Sequence, residues 1–197
     1  MITHIKGRLV EKTPTYAVVD CNGVGYLINI SVNTFSKIGD EEAVMLYTHF
    51  VVREDAQVLY GFADMEERRL FRHLISVSGV GPSTARMVLS SMSPEELVQA
   101  VVSGNVMAIQ KVKGIGAKSA QRIIIDLRDK LAKEGTLSSD SPDAFSLDNK
   151  TLEDALSALL MLGFAKHAAE KAIGQVVKTE GSEISVEDLL KATLKIL

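Results

Sequence analysis

Leu74-Ile75-Ser76-Val77-Ser78-Gly79-Val80-Gly81-Pro82-Ser83-Thr84-Ala85-Arg86-Met87-Val88-Leu89 is followed, 35 residues on, by Ile109-Gln110-Lys111-Val112-Lys113-Gly114-Ile115-Gly116-Ala117-Lys118-Ser119-Ala120-Gln121-Arg122-Ile123-Ile124. Leu74 matches Ile109, Val77 matches Val112, Val80 matches Ile115, Ala85 matches Ala120, and both glycines match. A pattern repeated at a fixed spacing marks a duplicated structural unit. Each copy predicts a helix, a tight Gly-apolar-Gly turn and a second helix starting after the second glycine. Glycine permits positive φ and close backbone approach, while the apolar residue between the glycines plugs the space between the helices. The first N–H groups of the second helix lack intrahelical partners and carry the positive end of its dipole, so an anion is favoured there.

The repeat resembles the helix-hairpin-helix motif of proteins that bind DNA without regard to sequence. Backbone donors without base-reading side chains suit phosphate, which positions a protein on nucleic acid without specifying sequence. One copy alone would fit equally a hairpin whose glycines only cap and pack helices; two in register favour the phosphate reading. Lys118 and Arg122, one turn further on, tilt the second copy towards DNA.

Upstream, residues 1–62 alternate apolar and polar side chains and are rich in β-branched and aromatic residues. Five strands are predicted, over Ile5–Val10, Tyr16–Cys21, Gly25–Ile30, Val44–Val52 and Gln57–Phe62, with a short helix near Asn33–Lys37. Asn22-Gly23 is a two-residue hairpin signal. This pattern predicts an OB-like β-barrel. From Asp64 the period becomes helical, and Ser93-Pro94-Glu95-Glu96 predicts a capped helix start. Downstream, Glu134 to Lys150 is small, polar and acidic without helical periodicity, which predicts a flexible linker over 135–149. Thr151 with Asp154 and Ser185 with Asp188 read as helix caps, with a further helix over Lys166–Lys178. The expected organisation is therefore a barrel over 1–62, an all-α tandem over 63–134, the linker, and a three-helix, UBA-like bundle over 150–197.

The 197 residues are 46% hydrophobic and 24% charged, as in an ordinary globular protein, with no apolar run of membrane-spanning length. Cys21 is the single cysteine, the four histidines show no zinc spacing, and the amino terminus lacks a secretion core, so a cytoplasmic location without disulfide or metal is expected. The net charge of −3 is unevenly spread, because residues 63–134 carry 11 basic and 8 acidic side chains and both flanking segments are net acidic. DNA affinity must then come from geometry and multiple contacts more than from a broad basic field.

With these parts in this order, the whole chain resembles the RuvA family, the Holliday-junction-binding subunits of the bacterial branch-migration complex. The most specific carriers are Thr48-His49-Phe50-Val51-Val52-Arg53-Glu54-Asp55-Ala56-Gln57-Val58-Leu59-Tyr60-Gly61-Phe62 and the turns Ser78–Ala85 and Lys113–Ala120. The resemblance implies a non-catalytic, structure-specific DNA-binding subunit acting in recombination and repair. It would form a homotetrameric ring on a four-way junction, with a second tetramer making an octamer left open. It implies that Gly79, Gly81, Gly114 and Gly116 hold phosphate through their backbones and Ser83, Lys118 and Arg122 through side chains. Many members carry lysine where Ser83 stands, so a weaker first turn is expected. Glu54 and Asp55 would form an acidic pin at the ring centre. The bundle would bind the RuvB ATPase hexamer, with Leu159, Leu162 and Phe164 as candidate contacts; Leu152, Leu156, Leu159 and Leu160 have core spacing. The RuvC resolvase is a further partner that the resemblance admits. No catalytic residue, cofactor or metal is implied.

Catalytic readings fit less well. Asp126 lies only ten residues past Gly116, within an apolar-patterned helix, which is wrong for a helix-hairpin-helix glycosylase. Glu54, Asp55, Asp64, Glu66 and Glu67 match no metal-nuclease spacing. In Gly114-Ile115-Gly116-Ala117-Lys118-Ser119 the Gly-Lys-Ser of a P-loop is interrupted by Ala117.

Overall fold

The computed structural model describes residues 1–39, 42–133, 147–180 and 184–197, which fall into two compact units, Met1–Ser139 and Asp140–Leu197. Among the described residues of the first unit, five strands close a barrel: β1 (His4–Lys12), β2 (Tyr16–Cys21), β3 (Val24–Ile30), β4 (Ala43–Val52) and β5 (Gln57–Phe62), in the order β1-β2-β3-β5-β4. The pairings are antiparallel except β3 with β5. Inward positions alternate along the strands, so Ala17 and Val19, Ile28 and Ile30, and Leu46 and Leu59 fill the barrel. Asn22 (φ 53°) and Gly23 (φ 88°) give the β2–β3 hairpin the two positive φ angles of a type I′ turn, and the Gly23 N–H donates to Asp20 Oδ1 at 3.0 Å. A short helix, α1 (Val32–Lys37), joins β3 to β4.

The helical part of this unit contains α2 (Met65–Ile75), α3 (Pro82–Ser91), α4 (Pro94–Val102), α5 (Val106–Gln110) and α6 (Ala117–Lys133). The Ser93–Glu96 capping box forms with Pro94 in the first turn of α4. The change of period near residue 62 reads in sequence as a boundary, yet the apolar packing runs straight across it. Tyr60 and Phe62 of β5 belong to the helical core, with ring centroids 5.1 and 4.9 Å from Phe71 of α2.

Polar contacts fix the same junction. Glu67 is fully buried and accepts hydrogen bonds from the hydroxyls of Ser31, which caps α1, and Thr34, the latter at 2.7 Å. Arg68 Nε donates to the Thr48 carbonyl at 2.7 Å, Asn33 donates to the Leu89 and Met92 carbonyls, and Arg86 donates to Thr15 O and Asn29 Oδ1. The barrel and the helical tandem are thereby tied into one compact unit.

In the second unit α7 (Leu147–Met161), α8 (Lys166–Glu180) and α9 (Val186–Leu194) pack around Ala155, Leu159, Ala169, Ile173, Val176 and Leu189. Ser185 caps α9 as expected, its hydroxyl accepting the Asp188 N–H at 3.2 Å. Thr151 does not start a helix, because α7 begins a turn earlier, at Leu147. Residues 147–149, assigned by sequence to the linker, are therefore helical; the rest of the expected linker lies outside the described residues.

Burial pushes the Glu67 carboxyl above its ordinary value, against the opposing effect of the Ser31 and Thr34 hydroxyls. The native state then holds a proton that the unfolded chain has released, so this group's contribution to stability falls as pH rises from the ordinary glutamate value through the raised one. Urea denaturation across that window should show the decline in the wild type and a flatter profile in Glu67→Gln.

Candidate nucleic-acid interface

The two glycine turns have the same hydrogen-bond pattern. In the first, Val77 N–H donates to Leu74 O (3.1 Å), Val80 N–H to Val77 O (3.0 Å) and Ala85 N–H to Gly81 O (2.9 Å). In the second, Val112 donates to Ile109 O (3.1 Å), Ile115 to Val112 O (3.1 Å) and Ala120 to Gly116 O (2.9 Å). Gly79 and Gly114 adopt φ of 88° and 87°, which turns the chain sharply between helices. Val80 and Ile115 are buried as plugs, and Ala85 and Ala120 are fully buried where the helices meet.

The four glycines face outward. All are exposed, and a Cβ placed on any of them would meet nothing within 4 Å. Gly81 is the N-cap of α3 and no side chain caps that helix, so the N–H groups ahead of Ala85 precede the first i→i−4 bond and point to the surface. Pro82 removes one donor from this set, leaving Ser83 and Thr84. The α6 terminus has no proline at that place and offers Ala117, Lys118 and Ser119. Side chains differ in the same direction: Lys113 and Lys118 are exposed around the second turn, where the first has Ser78 and Ser83.

Arg122 makes a contact that the sequence does not reveal. It is exposed on α6, beyond the second turn, and its guanidinium donates to the Ser78 carbonyl of the first turn at 3.2 Å. It links the corners, and with five N–H donors it retains capacity for an anion. Lys130, further along α6, donates to the Ser76 hydroxyl. The helix that carries the second corner thus grips the approach to the first at two points.

Glu54 and Asp55 occupy the exposed tip of the β4–β5 hairpin, closed by the Arg53 N–H to Ala56 O bond at 2.8 Å. Val51 and Val58 below them pack on the helical core. The acidic tip is therefore carried by the same compact unit as the two corners.

The bundle candidates separate. Leu159 is fully buried and presents nothing to a partner. Phe164 packs on the same core as part of a helix-ending motif, in which Gly163 takes φ 94° and the Phe164 N–H donates to Leu159 O at 3.1 Å. Leu162 is 62% exposed and stands beside Met161 at 87%, which the sequence reading passed over.

A basic face on α2 was also missed. Arg69, Arg72 and His73 lie away from the stripe Leu70, Phe71 and Leu74, with Arg68 buried at the edge of that stripe, a spacing readable in the sequence once the helix is placed. Its field reaches His49, whose imidazole is pushed below its ordinary value by burial first and then by Arg72 and Arg68. Among the described residues no helix is long and apolar enough to cross a membrane.

An L-residue in the left-handed region costs about 1–2 kcal/mol. Urea denaturation should show that loss for Gly79→Ala and Gly114→Ala, and under about 1 kcal/mol for Gly81→Ala and Gly116→Ala, whose φ is not positive. Equal losses at all four would contradict the assigned turn geometry.

Three family models cover nearly the whole chain: the RuvA N terminal domain over residues 1–61, the SAM-like helix-hairpin-helix tandem over 71–129, and the RuvA C-terminal domain over 150–197. Among curated proteins, the chain is 53% identical over 197 residues to the Holliday junction branch migration complex subunit RuvA of Christiangramia forsetii, covering both chains fully. Proteins of the same name from Flavobacterium psychrophilum and Cytophaga hutchinsonii are 47% and 46% identical, again over the full length of both chains. With the barrel, the paired glycine corners and the bundle all in place, the chain belongs to the RuvA family.

Proposed function

We propose that this chain is the non-catalytic subunit that recognises four-way DNA junctions and brings the RuvB ATPase to them for branch migration. The observation that carries the reading is the pair of matched corners, both solvent-facing and both ending in unpartnered helix N–H groups. Gly79, Gly81, Gly114 and Gly116 let phosphates approach the main chain, Ser83 adds a hydroxyl, and Lys118 adds a charge. Arg122 both spaces the corners and lends its free donors to phosphate. Full-length relatives named as branch migration complex subunits support extending this contact to junction DNA.

A homotetrameric ring multiplies the corners and gathers four acidic hairpin tips at its centre, and a second ring would enclose the junction as an octamer. Glu54 and Asp55 there repel any duplex laid across the ring, by about 1 kcal/mol per close charge pair even at water-like screening. That repulsion selects a branched substrate, whose arms leave the centre, over a continuous one. In the bundle, exposed Leu162 with Met161 is the surface offered to the ATPase, while Leu159 and Phe164 shape it from within. ATP chemistry belongs to that motor, the RuvC resolvase would act on the same junction, and the complex works in the cytoplasm.

Lys118→Ala should weaken binding to junctions of every sequence alike and reduce the slope of log K against log salt by roughly one counterion per protomer engaged. A sequence-dependent loss in a fluorescence-anisotropy titration would contradict a phosphate contact. Replacing Glu54 and Asp55 together by alanine should raise affinity for linear duplex while leaving junction affinity largely intact. Unchanged duplex binding would remove the acidic tip as the source of discrimination.

A further inference from the structure

The first corner has no cation of its own between Ser78 and Thr84, whereas the second has Lys113 and Lys118. Besides the Arg122 guanidinium that reaches Ser78 O from α6, further charge lies next to it on α2. Along α2 run two adjoining cavities that share Arg69 and Arg72. One, of about 630 Å³, is also lined by Arg68, Met65 and Glu66; the other, of about 440 Å³, by His73, Ser76 and Lys130. Together they make one groove that ends at Ser76, three residues before Gly79.

Its cations are placed by the fold. Arg68 is nearly buried and anchored by its bond to Thr48 O, so its charge cannot swing away. Lys130 is held at the far end by Ser76. Arg72 is exposed, Arg69 lies 3.8 Å from Glu66, and among the described residues Glu66 is the one carboxylate lining the groove beside three arginines and Lys130. Arginine is the side chain whose planar fork matches phosphate oxygens and which keeps its charge when partly desolvated. From Arg68 to Ser76 the helix rises about 12 Å, which spans roughly three phosphates at the 3.4 Å axial spacing of one duplex strand. Continuity with a corner that is rich in N–H donors and borrows its cation, Arg122, from α6 favours a nucleic-acid backbone over an acidic protein surface.

We propose that the α2 groove is a third phosphate-binding element, a track for the DNA strand leaving the first glycine corner. The proposal rests on the junction-binding function above and adds a path that the corners alone do not define. Arg72 supplies the exposed charge, Arg69 lines the groove beside it against Glu66, Lys130 marks the end next to the corner, and Arg68 fixes the floor.

The test uses the full-length protein and four-way junction DNA, titrated at several salt concentrations. Arg69→Gln with Arg72→Gln should weaken binding at least about tenfold near 0.1 M salt and lower the salt slope by roughly two counterions per protomer engaged. Arg69→Lys with Arg72→Lys, which keeps the charge, should retain the wild-type slope, so a folding defect in the glutamine variant cannot pass for a lost contact. Wild-type affinity and slope in the glutamine variant would overturn the proposal. So would a loss of affinity at unchanged slope together with altered self-association in sedimentation, which would give the groove to an acidic face of another copy. Lys118→Ala is measured in parallel: a reduced slope there with none from the arginine pair refutes the groove alone, while no effect of Lys118→Ala refutes phosphate binding at the corner itself.

Discussion

Each glycine corner depends on one buried apolar residue. Val80 and Ile115 sit between paired glycines and insert into the core, and that insertion forces the flanking backbone outward. The positive φ of Gly79 and Gly114 is the conformational cost of the arrangement, and burial of the plug offsets it. What results is an exposed main chain with unspent N–H donors, rigid because its neighbours are packed. A surface made this way suits a repeating anion and offers nothing that reads base identity, in keeping with the phosphate contact proposed above.

The proposed discrimination against linear duplex requires a fixed placement of the acidic hairpin relative to the corners. The structure provides it by letting β5 lend Tyr60 and Phe62 to the helical core and by sealing the junction with Glu67, Arg68, Asn33 and Arg86. Glu67 illustrates the balance involved. Burying a carboxylate is unfavourable, and two hydroxyls from α1 make it tolerable while tying α2 to the barrel. On α6, Arg122 and Lys130 reach back to the first corner, so the spacing of the two corners is set by side chains as well as by the core.

Much of this was legible in the sequence because local rules decide it. The strands follow from alternation, the β2–β3 turn from Asn22-Gly23, the start of α4 from Ser93-Pro94-Glu95-Glu96, and the corners from the repeat itself. What escaped is decided at long range or at helix ends. Glu67 reads as a first-turn acid favouring the helix dipole, and only the fold brings Ser31 and Thr34 to it from more than thirty residues away. The start of α7 lies in a polar stretch without periodicity, which hides it. Leu162 and Phe164 look equivalent until Gly163 closes the helix and turns Phe164 back onto Leu159. The α2 arginines were overlooked because the apolar stripe on the opposite face explains the helix without them.

The central claim is that main-chain amides at the two corners take the phosphates. The most direct measurement follows the backbone amide resonances of the deuterated protein by NMR as four-way junction DNA is added. The account predicts that the largest shifts fall on Ser83 and Thr84 and on Ala117, Lys118 and Ser119, with the outer barrel strands unaffected. Junction binding that leaves those amides unmoved would contradict it.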